Sequence, residues 1–160
     1  MTDSSSVTWQ RVDVAAGVSV ELPAGGVTRG EYQGVAYAWQ AGAGGRLGVR
    51  VGPGQGLDAW RAVFQAPPQL SPTTPATVCG RPATRQEAQF AAGPHAIGAS
   101  RDADGNIVHE STDHPAMTEV ALAFSAADGT PAVATWQVET SQRASHEAEA
   151  TRFFAAVRCK

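Results

Sequence analysis

Alternation of apolar and polar or small residues with a period of two constrains the fold of this 160-residue chain most strongly. Successive side chains of a β-strand point to opposite faces, so each alternating segment predicts a half-buried strand. Short turns between neighbouring segments favour antiparallel pairing. The five clearest segments are VSVEL (18–22), VAYAWQ (35–40), RLGVRV (46–51), TEVALAFSA (118–126) and AVATWQVE (132–139), and four weaker ones are WQRVDV, ATVCG, ATRQEAQF and NIVHES.

Two segments follow a helical period instead. In GLDAWRAVFQAPP, Leu57, Trp60 and Phe64 are spaced as on one helix face, and Pro67 and Pro68 end the pattern. In SHEAEATRFFAAVRCK, Ser145 is the expected N-cap. This second helix should lie on a sheet face through an apolar stripe, which consists of Ala150, Phe153, Phe154 and Val157.

The order of strands, helix, strands and helix predicts an α+β fold, an antiparallel sheet with a mid-chain helix and a C-terminal helix packed on it. The Ser-rich start predicts a flexible tail over residues 1–6, and residues 7–160 are expected to form a single domain. The aromatic side chains are assigned to the core, with Trp9 as the one that a partner could contact. The other residues of this set are Trp39, Trp60, Trp136, Phe64, Phe153 and Phe154.

Composition excludes several classes of protein. A hydrophobic fraction of 42% is too high for a disordered chain, and a net charge of −3 offers no bulk attraction for nucleic acid. No apolar run approaches the roughly 20 residues that span a bilayer, so membrane insertion is not expected. The many Ala, Gly, Arg and Pro residues fit a GC-rich bacterial genome. The arginines look dispersed along the chain: Arg11, Arg29, Arg46, Arg50, Arg61, Arg81 and Arg85.

Three phrases resemble one known group of folds. They are VSVELPAG near the start, VCGRPATRQEA after the first helix and EAEATRFFAAVRC at the end. Their order is similar to the layout shared by PsbP of photosystem II, the Ran-binding Mog protein and small bacterial relatives. The resemblance implies a protein-binding or adaptor module without catalytic activity, and it carries over no partner-contacting residue and no cofactor.

A glycine-rich turn supports a different function. In VGPGQGLDAW, a strand is followed by Gly52, Gly54 and Gly56 and then by a helix. This is the layout of an anion cradle, in which free backbone amides and the helix dipole point at one place. The spacing is neither that of a P-loop nor that of a dinucleotide-binding motif. The alternative to an adaptor is therefore a small ligand-binding protein or enzyme that uses residues 52–56 as a phosphate site.

Two polar stretches could hold a metal ion, but their spacing argues against it. In HESTDH, His109 and His114 are five residues apart, whereas a helical zinc site needs four. In RDADGN, Gly105 follows the second aspartate too closely for an EF-hand loop. Both stretches are predicted to be turns between strands, and no metal or cofactor is expected.

Cys79 and Cys159 are the only cysteines, and the sequence leaves two alternatives for them. If the C-terminal helix lies on the sheet, its end could bring the sulfurs together in a disulfide, which would indicate an exported protein. Otherwise both are ordinary thiols of a cytoplasmic protein, an alternative that the absence of a signal peptide in MTDSSSVTWQ favours.

Overall fold

The computed structural model describes residues 8–42, 45–64, 67–93, 99–109 and 113–160. The strands are β1 (Trp9–Ala15), β2 (Val18–Pro23), β3 (Thr28–Tyr32), β4 (Val35–Gly42), β5 (Gly45–Val51), β6 (Gln69–Leu70), β7 (Thr74–Val78), β8 (Arg81–Phe90), β9 (Ala99–Arg101), β10 (Ile107–His109), β11 (Met117–Ser125) and β12 (Pro131–Glu139). The helices are α1 (Leu57–Ala62) and α2 (Arg143–Ala155), with a short 3₁₀ helix at Thr140–Gln142.

Eight strands form one antiparallel sheet. Its order is β3-β4-β5-β12-β11-β8-β6, and β7 also pairs with β8. Two further antiparallel pairs, β1–β2 and β9–β10, stand outside it. The five clearest alternating segments are the strands β2, β4, β5, β11 and β12, so the period-two pattern located them correctly.

The first face of the large sheet carries the main core. Helix α2 contacts β2, β5 and β12, and the β1–β2 pair packs beside it. Phe153 is fully buried, and Phe154 is partly buried against the same cluster. Trp9 was expected to be available to a partner, but its ring packs against this core beneath the Arg152 guanidinium, 4.6 Å from the ring centre.

Helix α1 covers part of the second face. Trp60 is fully buried there, and Phe64 packs edge-on against both Trp60 and Phe90 at ring separations of 5.0 and 4.9 Å. The sheet beneath them offers small side chains, Ala88, Ala121 and Val133. The rest of this face is not covered by α1.

The sheet dominates the architecture more than an α+β description implies. The mid-chain helix has only six residues, and the C-terminal helix has thirteen. Helix α2 begins at Arg143, so Ser145 lies inside it and the predicted cap at Ser145 is wrong. The 3₁₀ helix precedes α2 directly, and α2 begins three residues earlier than a cap at Ser145 would place it.

Residues 1–7 lie outside the described residues, so the predicted flexible tail stays a prediction. In the ranges that the structure describes, neither helix has the length and apolar character needed to cross a membrane.

An ion pair fastens the start of α2 to the sheet. The Arg143 guanidinium donates two hydrogen bonds to the Glu87 carboxylate of β8, at 2.5 and 3.0 Å. These bonds hold the pKa of Glu87 below its ordinary value, against the opposing effect of burial. A depressed carboxylate pKa stabilises the fold fully above the unfolded value, about 4.3, and the stabilisation is lost as the pH falls through the folded value.

We therefore expect Glu87→Gln to flatten the acid dependence of stability. In the wild type, the free energy of unfolding should fall below about pH 4.3 as Glu87 is protonated. Urea unfolding at a series of pH values measures this, and Glu31→Gln, at an exposed position of β3, is the control. Parallel curves for wild type and Glu87→Gln would contradict the assignment.

Candidate functional site

A cavity of about 580 Å³ opens on the uncovered part of the second face. Its floor is made by β4, β5, β11 and β12. The turn between β5 and α1, the end of α1 and the β9–β10 hairpin form its sides. The cavity therefore lies where the α1 layer stops and the hairpin crosses the sheet.

The alternation of β5 supplies the floor. Leu47, Val49 and Val51 are buried in the core of the first face. The intervening residues therefore point to the second face, where Arg46, Gly48 and Arg50 line the cavity. A Cβ atom at Gly48 would lie 3.1 Å from the Cβ of Trp39, so the absence of a side chain there keeps the space open.

Cationic side chains dominate the lining. Three arginines and one glutamate, Arg46, Arg50, Arg101 and Glu119, face the cavity among the described residues, which gives a formal charge of +2. The whole chain carries −3. The fold therefore concentrates positive charge in one place on an acidic protein, which is a local field that attracts anions.

Arg50 lies on the floor of the cavity and is half-buried. Burial lowers the pKa of its guanidinium, Glu119 opposes this shift, and the like charge of Arg46 adds to the lowering. Desolvation is thus the larger effect on Arg50, and the attraction of Glu119 the smaller one. A partly desolvated cation gains from an anion placed beside it.

Aromatic rings hold the other two arginines. The Arg46 guanidinium lies over Trp39, 4.7 Å from the ring centre, and Arg101 lies over Tyr32 at 3.4 Å. Cation–π contacts of this kind help to orient a guanidinium, and Arg101 also donates a hydrogen bond to the Gly105 carbonyl at 2.7 Å. Both groups therefore keep a defined position at the cavity.

The β9–β10 hairpin is fastened above the floor by two side chains of β4. The Trp39 indole N–H donates to the Arg101 carbonyl at 2.9 Å, and the Tyr37 hydroxyl donates to the Asp102 carbonyl. These bonds place Arg101 at the cavity, although it is far from Arg46 and Arg50 in the sequence. Trp39 was predicted to belong to the core, but it lines the cavity and is only partly buried.

The stretch RDADGN forms the turn of this hairpin, as the sequence predicted. One carboxylate oxygen of Asp102 accepts the backbone N–H groups of Asp104 and Asn106, both at 2.9 Å. Gly105 adopts the left-handed conformation that the turn requires, with φ of +85°. The Asp102 carboxylate therefore stabilises the turn.

The glycine-rich turn borders the cavity without forming it. Pro53 and Gln55 of this turn are among the lining residues. A Cβ at Gly52 would lie 2.6 Å from the Gly34 carbonyl oxygen, so close packing on the β3–β4 turn requires glycine there. Gly54 and Gly56 have open space around them. The phosphate site predicted at Gly52, Gly54 and Gly56 stays a prediction.

One polar atom of this turn has no partner. The side-chain oxygen of Gln55, Oε1, is buried and accepts no hydrogen bond. Gln55 lines the cavity, so a change of its side-chain rotamer would turn this acceptor towards a bound molecule.

HESTDH supplies one described imidazole, that of His114. His109 belongs to β10, residues 110–112 lie outside the described part of the chain, and His114 pairs with Gly93 through backbone hydrogen bonds of 3.1 and 3.0 Å. The Nδ1 atom of His114 lies 2.7 Å from the Pro115 carbonyl oxygen. Among the residues that the structure describes, no three potential metal ligands form a group.

Cys79 and Cys159 form a disulfide, with 6.0 Å between their Cα atoms. Cys79 lies in the turn between β7 and β8, and Cys159 follows α2. The chain just before Cys159 is held as well, because Ser19 and Arg158 exchange backbone hydrogen bonds of 2.9 and 3.0 Å. Of the two alternatives that the sequence left open, the structure therefore has the bridged one.

Sequence reasoning missed the cavity because its arginines were counted along the chain and not along a strand. Arg46 and Arg50 are four residues apart in one alternating segment, so they share a face with Gly48. Two cations and a glycine on one face of a buried strand were a usable signal. Arg101 gave none, because its position depends on the hairpin.

Comparison with known proteins adds no relative. No protein-family model matches this sequence, and no curated protein is significantly similar to it. The functional argument therefore depends on the geometry and charge of the cavity.

Proposed function

We propose that this protein is a binding module without catalytic activity, which holds a small organic anion in the cavity. The observation that carries the proposal is the group of three arginines, Arg46, Arg50 and Arg101, that line the cavity with one carboxylate, Glu119. The Arg46 guanidinium lies over the Trp39 ring, and the Arg101 guanidinium lies over the Tyr32 ring. Arginine presents a fork of donors that suits carboxylate and phosphate groups.

The size and walls of the cavity support a small molecule. Ligand cavities commonly measure about 300–1,000 Å³, and this one measures about 580 Å³. Val35, Val63 and Phe64 add apolar surface beside the charged groups. An anion with an apolar ring or chain would use both kinds of surface.

A protein partner, the function expected from the sequence, stays a prediction, as does the resemblance to PsbP and Mog. The prediction of a protein partner is supported best at the rim of the cavity, where the Tyr32 and Ile107 side chains are 40% and 54% exposed. Two exposed apolar side chains are few for a protein interface, which commonly involves 20–30 residues on each side. The geometry supports the small anion better.

We also propose that the protein works in an oxidising compartment. The support is the disulfide between Cys79 and Cys159, because such bridges persist mainly outside the reducing cytosol.

Replacing Arg50 by glutamine should weaken anion binding at least tenfold. A hydrogen bond to a charged group contributes about 1.5–3 kcal/mol, and the variant removes one of the three cations that line the cavity. Isothermal titration calorimetry with benzoate, 3-phenylpropionate and phenyl phosphate measures the effect. The neutral amide of 3-phenylpropionate should bind more weakly than the acid.

The matched control is Arg158→Gln, which makes the same change of charge at an exposed position beyond α2. It should leave affinity within about twofold of the wild type, since surface charges contribute little. Failure of all three anions to bind the wild type at millimolar concentration would contradict the proposed function. Equal affinity of the wild type and Arg50→Gln would contradict the role of Arg50.

A further inference from the structure

The cavity contains acceptors as well as cations, and they restrict the ligand further. Gln55 Oε1 is buried without a hydrogen-bond partner. Glu119, the carboxylate of the lining, already accepts a hydrogen bond from the Trp60 indole N–H at 3.1 Å and compensates part of the Arg50 charge. Among the described residues that line the cavity, Gln55 thus offers a buried side-chain acceptor without a partner.

A simple anion would leave this oxygen unsatisfied. A carboxylate or phosphate has only acceptors, and it would displace solvent from the cavity without donating to Gln55. A buried acceptor without a partner is destabilising, so a ligand that supplies a donor gains over one that does not. This preference would discriminate strongly, because sites built to pair a substrate hydroxyl reject analogues that lack it.

We propose that the natural ligand is an organic anion that also carries an O–H or N–H donor, which the Gln55 side-chain oxygen accepts. The ligand class is thus hydroxy or amino acids with an apolar portion. Arg50 takes the anionic group, Gln55 takes the donor, and Trp39 with Phe64 contacts the apolar part. This inference rests on the proposed function, because it describes the ligand of the same cavity.

Three probes of one skeleton test the donor. They are 3-phenylpropionate, which has none, 3-phenyllactate, with a hydroxyl beside the carboxylate, and 3-(4-hydroxyphenyl)propionate, with a hydroxyl on the ring. By calorimetry, at least one hydroxylated acid should bind the wild type about tenfold more tightly than 3-phenylpropionate. In Gln55→Leu the ratio should fall to about one.

Two further variants test whether the preference depends on the acceptor at position 55. Gln55→Glu retains an acceptor, so it should keep the preference for the hydroxylated acid even where the added charge weakens all three probes. Gln69→Leu makes the same change at an exposed position of β6, among residues that do not line the cavity, and should also keep it. Equal affinity of the wild type for all three acids would overturn the inference and leave anion binding intact. A preference that survives in Gln55→Leu would overturn it as well, whereas absence of binding by every probe would overturn the proposed function itself.

Discussion

Replacing Cys79 and Cys159 together by serine is expected to lower the free energy of unfolding by about 4–5 kcal/mol. The bridge joins residues that are 80 positions apart, so it restricts half of the unfolded chain. In the chain-entropy description, the loss of conformations in the unfolded state grows with the logarithm of the loop length. This is the largest single effect that we expect from the fold.

Urea unfolding of the wild type and the double serine variant measures the difference. Dithiothreitol should destabilise the wild type by a similar amount and leave the double variant unchanged, which separates loss of the bridge from loss of side-chain packing. A decrease below about 1 kcal/mol in the double variant would contradict the disulfide's stabilising role.

Phe153→Ala is expected to cost about 3–5 kcal/mol, the range measured for large aromatic truncations in cores. The side chain of Phe153 is 0% exposed, and it lies in the core cluster between α2 and the first face of the sheet. Its ring also meets the Phe154 ring edge-on at 5.2 Å. Truncation would leave a cavity that the packed strands cannot fill by small shifts.

Phe154→Ala is the matched comparison, because the same atoms are removed from the next residue of the same helix. Phe154 is only partly buried, so its truncation should cost clearly less than that of Phe153. Both values come from denaturant unfolding. An equal or larger loss for Phe154→Ala would mean that α2 is rotated relative to the arrangement described above.

The large sheet could be predicted because its strands obey a simple pattern. Leu47, Val49 and Val51 alternate with polar or small residues, and the same side chains are buried in the structure. The apolar stripe of α2 placed Phe153 correctly for the same reason. A repeating pattern of apolar residues predicts which side chains are buried wherever one face of a strand or helix packs in the core and the other faces solvent.

The cavity could not be predicted in the same way, since its face of the sheet carries the polar or small residues of β5 but the apolar residues of β4. In β4 the small residues Ala36 and Ala38 are buried, whereas Trp39 points to the cavity. An aromatic side chain on a strand was taken as core, which is correct for Trp136 and wrong for Trp39. Whether such a side chain belongs to the core depends on which elements cover its face of the sheet. That coverage is a property of the tertiary structure.

The hairpin adds a second reason. Arg101 reaches the cavity because Trp39 and Tyr37 donate hydrogen bonds to backbone carbonyls of the turn. Every residue has a backbone carbonyl, so the sequence does not indicate which carbonyls accept these two hydrogen bonds. The turn itself was predictable from Asp102 and Gly105, but its position over β4 was not.

Mapping of ligand contacts by nuclear magnetic resonance tests the central claim, that the cavity is a binding site for an organic anion. The protein labelled with ¹⁵N would be titrated with 3-phenyllactate. We expect the largest shift changes at the Gly48 and Arg50 amides and at the Trp39 indole N–H, whose hydrogen bond to Arg101 lies at the cavity. Saturable changes confined to α2 or to the β1–β2 pair, or no changes at millimolar ligand, would contradict the claim.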